Sequence, residues 1–150
     1  MKYKVVLVED QYVARQLFGL YLKDSEKYEI VRTLESASGI AEILRNVPVD
    51  LILMDILLDD HSNGMEGAAR IKKERPGIKI IAMTSMAEKS WLSRARKTGI
   101  ESFWYKESSR ETILDVMDRT MNGESVYPDH PPRIKLGQSD NLEFTERELE

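Results

Sequence analysis

The chain has 150 residues, 41% of them apolar, enough for one domain with a real core and a short tail. Its 26 acidic and 22 basic residues leave a net charge of −4, which announces no acidic tail and suits no phosphate-backbone binder, so contact with nucleic acid would need another domain. The absence of cysteine excludes disulfides, thiolate metal sites and thiol nucleophiles, leaving oxygen as the ligand for any metal.

No apolar run approaches the roughly 18–20 residues of a membrane span, and the start MKYKVVLVED lacks the apolar stretch of a signal peptide. The expectation is a cytoplasmic protein with no membrane partner. The first apolar run, residues 4–8, reads as a buried strand and passes straight into Glu9 and Asp10. Adjacent carboxylates repel, so the pair reads either as a cation site or as a solvated turn with Asp10 capping the next helix. That helix, over residues 11–23, sets Ala14, Leu17, Phe18 and Tyr21 in an inward stripe and leaves Val13 and Leu20 beside it.

Further strands are predicted at residues 28–34, 49–54, 78–83 and 102–105, and helices at 36–46, 64–75, 88–98 and 109–121. In the last helix Ile113, Met117 and Met121 point inward, while Leu114 sits to one side and is expected to be exposed. Pro48, the pair Pro76-Gly77 and Gly99 punctuate the joints. Five strand–helix alternations require crossovers, a parallel sheet and helices on both faces. After Met121 the stretch NGESVYPDHPPRIKLGQSDN, with three of the five prolines, reads as a linker. In FTERELE, Thr145 and Glu148 have capping-box spacing and would open another helix. The expected division is a domain over 1–123, a linker over 124–143 and the start of a second domain at 144–150.

Ligand sites in open α/β sheets lie at the carboxyl ends of the strands. There the predicted strands deliver Glu9 and Asp10, then Asp55, then Thr84 and Ser85, then Lys106. Clustered carboxylates without cysteine or histidine select a hard divalent ion such as Mg²⁺, with Asp10 and Asp55 as direct ligands. Such an ion relieves their repulsion and neutralises an incoming phosphoryl group, leaving one carboxylate to attack phosphorus. The Thr84 hydroxyl and Lys106 ammonium suit the phosphoryl oxygens.

With these residues in place, the chain over residues 1 to about 123 resembles the receiver domain of bacterial two-component response regulators. The resemblance implies a flavodoxin-like five-stranded parallel sheet of order 2-1-3-4-5. It puts the acidic metal pair on Glu9 and Asp10, the phosphoacceptor on Asp55, the switch hydroxyl on Thr84 and the phosphate-pairing lysine on Lys106. It further assigns a metal-binding main-chain carbonyl to Leu57 and the switch aromatic to Phe103, with Tyr105 a decoy. TMNGESVYP, FTERELE and the Lys106-Glu107 pair look like the LuxR/NarL type. The implied function is Mg²⁺-dependent acceptance of a phosphoryl group from a sensor histidine kinase. The protein would act on itself, forming and losing the acyl phosphate, and not as a multiple-turnover enzyme. Phosphorylation would promote a homodimer, expected across the first and fifth helices with Val13, Leu20 and Leu114, and promoter DNA would be bound only by the C-terminal domain.

One departure is the loop DILLDDHSNGMEG after Asp55, proline-free and one residue longer than in many receivers, in which His61 is expected to be solvated. Three other readings are weaker. A phosphorylation-independent interaction module does not need the intact set Asp10, Asp55, Thr84 and Lys106. A haloacid-dehalogenase-like phosphatase needs a second aspartate where Tyr12 stands. A dinucleotide enzyme needs glycines that the turn EDQYVA lacks.

Overall fold

The computed structural model describes residues 1–58, 63–86, 88–106 and 112–128. Its five strands are β1 (Tyr3–Val8), β2 (Tyr28–Leu34), β3 (Leu51–Asp55), β4 (Lys79–Thr84) and β5 (Ser102–Tyr105). The helices are α1 (Tyr12–Leu22), α2 (Ile40–Ile43), α3 (Gly64–Glu74), α4 (Lys89–Thr98) and α5 (Ile113–Met121). The sheet is parallel throughout, in the expected order β2-β1-β3-β4-β5.

Side chains alternate across each strand, and because both faces are covered the inner strands are apolar without interruption. Val6, Val8, Ile52, Met54, Ile80, Ala82, Phe103 and Tyr105 pack under α2, α3 and α4. Val5, Leu7, Leu51, Leu53, Ile81 and Met83 face Phe18 and Leu22 of α1 and Ile113, Val116 and Met117 of α5. No helix among the described residues is long and apolar enough to cross a membrane.

Three expectations for the helices are corrected. The predicted helix over 36–46 shrinks to α2, because Ser36 Oγ accepts from Ser38 N at 3.0 Å and Gly39 takes the left-handed φ of 65°, which breaks helical continuity. Its far end is closed by Arg75, whose guanidinium donates to Leu44 O at 2.6 Å and Val47 O at 3.0 Å. On α1 the inward row is Phe18 and Leu22, one i, i+4 step, and Leu17 and Tyr21 join Val13 and Leu20 on the exposed side. On α5 the buried row is Ile113, Val116, Met117 and Thr120, with Leu114 and Met121 half-buried against the same core, so Leu114 is not free surface.

His61, Glu107, the first residues of the predicted fifth helix and the stretch 129–150, including most of the expected linker and the capping box, lie outside the described residues. Residues 124–127, also assigned to the linker, instead pack along β5: Val126 is buried and its carbonyl accepts from Phe103 N at 2.9 Å.

Candidate functional site

Strand register, fixed by the buried faces, decides which residues meet at the carboxyl rim. Val8 pairs with Met54, which sets Glu9 level with Asp55; Asp55 pairs with Met83 and Thr84 with Tyr105, which sets Lys106 one step beyond Thr84. Main-chain bonds carry the rungs past the strand ends: Glu9 N donates to Leu34 O (2.9 Å), Ile56 N to Met83 O (3.0 Å) and Lys106 N to Thr84 O (2.9 Å).

Glu9 is completely buried, and Asp55 and Thr84 nearly so, while Asp10 is half-exposed. Carboxylate oxygens of Glu9, Asp10 and Asp55 lie within 4.8 Å of one another, a donor set made only of oxygens that fits a hard cation. Asp10 does not cap α1. The N-cap position is Gln11, whose own side chain makes no capping bond and whose amide donates to Glu9 Oε2 at 3.1 Å. Of the two readings of the acidic pair, the structure thus supports the charge cluster.

Lys106 binds that cluster together. Its ammonium is ion-paired with Glu9 Oε1 and donates to Asp55 Oδ2 at 3.0 Å. Burial works to lower its pKa, but bonds and charge from Glu9 and Asp55 outweigh this and hold it above the ordinary lysine value. Burial pushes the Asp55 carboxyl up to about 6, and the charge of Glu9 adds to the rise, while the Leu57 amide and Lys106 oppose it. The Leu57 amide donates to Asp55 Oδ1 at 2.8 Å. Thr84 Oγ1 is oriented by the Met86 amide at 3.1 Å.

Phe103 is only 2% exposed, against Tyr105 with ring centroids 5.2 Å apart and Tyr127 at 6.2 Å. Phe103 is thus inside the fold, with the segment after α5 against it. Val13 and Leu20 lie on α1 and are exposed (69% and 67%).

Sequence reasoning missed the residues that hold Asp55 from behind. Leu57 bridges to Asn63, and Asn63 Oδ1 caps α3 by accepting from Met65 N (2.9 Å) and Glu66 N (3.2 Å), while its Nδ2 donates to Glu66 Oε2 (3.1 Å). The Asn-x-x-Glu spacing was a readable capping signal. Gly64 packs so closely that a Cβ there would overlap the Asp55 carbonyl oxygen. Arg15 also contributes, donating from Nη1 to Glu9 O at 3.0 Å.

Comparison with known proteins gives a consistent answer. Residues 5–118 match the family model described as the response regulator receiver domain. Response regulator protein VraR of Staphylococcus epidermidis is 36% identical over 157 aligned residues, spanning 100% of this chain and 74% of that protein. Among solved structures, a LuxR-family two-component response regulator from Aurantimonas sp. SI85-9A1 superposes with a TM-score of 0.76 at 17% identity, covering 84% of this chain and 89% of the other. The isolated receiver domain of RcsB from Salmonella enterica serovar Typhimurium, in the presence of the phosphomimetic BeF3−, gives 0.73 at 20% identity, covering 86% and 95%.

Proposed function

The chain belongs to the response regulators, with a receiver domain, and on that premise we propose that Asp55 is its phosphoacceptor, loaded by a sensor histidine kinase to control DNA binding by a C-terminal domain. The observation that carries this reading is the convergence of four strand ends on one buried carboxylate, with Glu9 and Lys106 ion-paired beside Asp55.

Asp10, Asp55 and the Leu57 carbonyl would hold Mg²⁺, with Glu9 supplying charge next to it. Glu9 Oε1 is ion-paired with Lys106 and Oε2 accepts from the Gln11 amide, which holds the Glu9 carboxylate beside the ion. When bound, the ion neutralises charge between the carboxylates and the incoming phosphoryl group. An Asp55 carboxylate oxygen attacks phosphorus, the phosphorus–nitrogen bond to the kinase histidine breaks, and that imidazole departs with the bonding pair. Lys106 then exchanges its bond to Asp55 for one to a phosphoryl oxygen, and the Thr84 hydroxyl donates to another. Loss of the acyl phosphate by water attack returns the starting state, so the chain turns over its own modification and no external substrate.

The exposed apolar residues of α1, Val13 and Leu20 with Leu17 and Tyr21, supply a surface for pairing with a second copy, with α5 and its half-buried Leu114 alongside. Incubation with phosphoramidate and Mg²⁺, followed by intact mass measurement, tests the core of the reading. One added phosphoryl group on the parent and none on Asp55→Asn is expected; equal labelling of both would overturn the assignment.

A further inference from the structure

Beyond α5 the chain turns back at Gly123, with φ of 96°, and runs against β5. Phe103 N donates to Val126 O at 2.9 Å, and Val126 N donates to Ser102 Oγ at 3.0 Å. The Ser102 and Thr120 hydroxyls are 2.6 Å apart, and Thr120 Oγ1 donates to Val116 O at 2.7 Å, so a buried hydroxyl chain ties this segment to α5. Tyr127 completes the attachment. Its hydroxyl donates to Ile100 O at 2.7 Å, one ring face lies under the Arg96 guanidinium of α4 at 4.0 Å, and the ring centroid is 6.2 Å from that of Phe103. Burial raises the Tyr127 hydroxyl pKa, Arg96 opposes and Glu101 adds to the rise, so it stays a donor.

Residues 124–127 therefore satisfy part of the outer edge of β5, an edge strand, and cover Phe103 at the same time. Phe103 cannot move toward Thr84 without withdrawing from Tyr127, and Tyr127 is held by α4 and β5 together. We propose that residues 124–127 are a strap, seated on β5 through Val126 and Tyr127 when the receiver is unphosphorylated and loosened when Phe103 withdraws from Tyr127. This deepens the reading of Asp55 as phosphoacceptor and rests on it. Coupling is reciprocal, so a strap that favours the unphosphorylated state resists phosphorylation to the same degree that phosphorylation loosens the strap.

The test uses the whole 150-residue chain with excess acetyl phosphate and Mg²⁺, read by intact mass and by hydrogen exchange of peptides covering 101–105 and 122–128. Exchange in both peptides is expected to rise several-fold once the mass shows full modification. Tyr127→Ala should exchange that fast without the donor and reach half-maximal phosphorylation at a several-fold lower acetyl phosphate concentration. Tyr127→Phe keeps the ring and loses only the bond to Ile100, so it should move both readings in the same direction by less, and it serves if the alanine variant does not fold. Full modification with unchanged exchange, or Tyr127 variants that phosphorylate like the parent, would overturn the strap alone. No mass gain on the parent would overturn the phosphoacceptor reading and the strap with it.

Discussion

Gly64 stands directly over the main chain of Asp55: a Cβ at Gly64 would overlap the Asp55 carbonyl oxygen and approach Ile56 Cα to 2.9 Å. The obstacle is backbone, which cannot swing aside as a flexible side chain can. Gly64→Ala must therefore displace either α3 or the end of β3, at a cost of about 1–3 kcal/mol. A fall of several degrees in Tm and slower phosphorylation from a small donor are expected. An alanine variant with the parent's Tm and labelling rate would show that the close approach is not a constraint.

Ionised Asp55 weighs against the fold in the absence of metal, because burial outweighs the help from the Leu57 amide and Lys106. Its carboxyl is raised from 3.8 to about 6, so protonation favours the native state. The contribution is present below the unfolded value, is lost as pH climbs through about 6, and stays lost above it. Asp55→Asn lacks this dependence. In chelator at pH 7 it should be more stable than the parent by about 1–3 kcal/mol, a gap that closes toward pH 4. Urea titrations showing a stability difference independent of pH between 4 and 7 would contradict this.

Lys106 is the cation that makes a fully buried Glu9 tolerable. Lys106→Met removes that partner and leaves Glu9 and Asp55 facing each other, which should destabilise the domain by about 3–5 kcal/mol. Adding Glu9→Gln to Lys106→Met should restore much of the loss. Urea midpoints of the single and double variants check it: a single-variant loss below about 1 kcal/mol, or no recovery in the double, would show that the ion pair is dispensable.

The apolar side of α1 predicts self-association. Val13 and Leu20 are among its most exposed residues, and neither contributes to the core. Val13→Asp and Leu20→Asp should leave Tm nearly unchanged and weaken the phosphorylated dimer at least tenfold, as read by sedimentation velocity with and without phosphodonor. Variants that dimerise like the parent would place the interface elsewhere.

The sheet was legible because its inner strands carry a local signal: Val5–Val8 or Ile80–Met83 can be buried on both faces and nothing else. The rim was legible for the same reason, since each strand hands its next residue to the carboxyl edge and parallel order then brings Glu9, Asp55 and Lys106 together. What escaped the sequence depends on tertiary contact. Helical periodicity over residues 36–46 did not register that Gly39 would adopt a positive φ or that Arg75, distant in the chain, would close α2. The expected stripe on α1 includes Phe18 correctly but takes Leu17 and Tyr21 in place of Leu22, because helical spacing gives a face without saying how much of it a sheet will touch. Linker composition over 122–141 masked Val126 and Tyr127, two residues whose docking depends on a free strand edge and a buried Ser102 hydroxyl.

The central claim, that Asp55 carries the phosphoryl group, is tested most directly by reductive trapping. Borohydride converts an aspartyl phosphate to homoserine and leaves an unmodified aspartate untouched. After exposure to acetyl phosphate and Mg²⁺, tandem mass spectrometry of the trapped chain should find homoserine at position 55, with Asp10 and Glu9 intact and no conversion when Mg²⁺ is chelated. Homoserine at position 10, or at none of the acidic positions while the intact mass shows a phosphoryl group, would contradict the account.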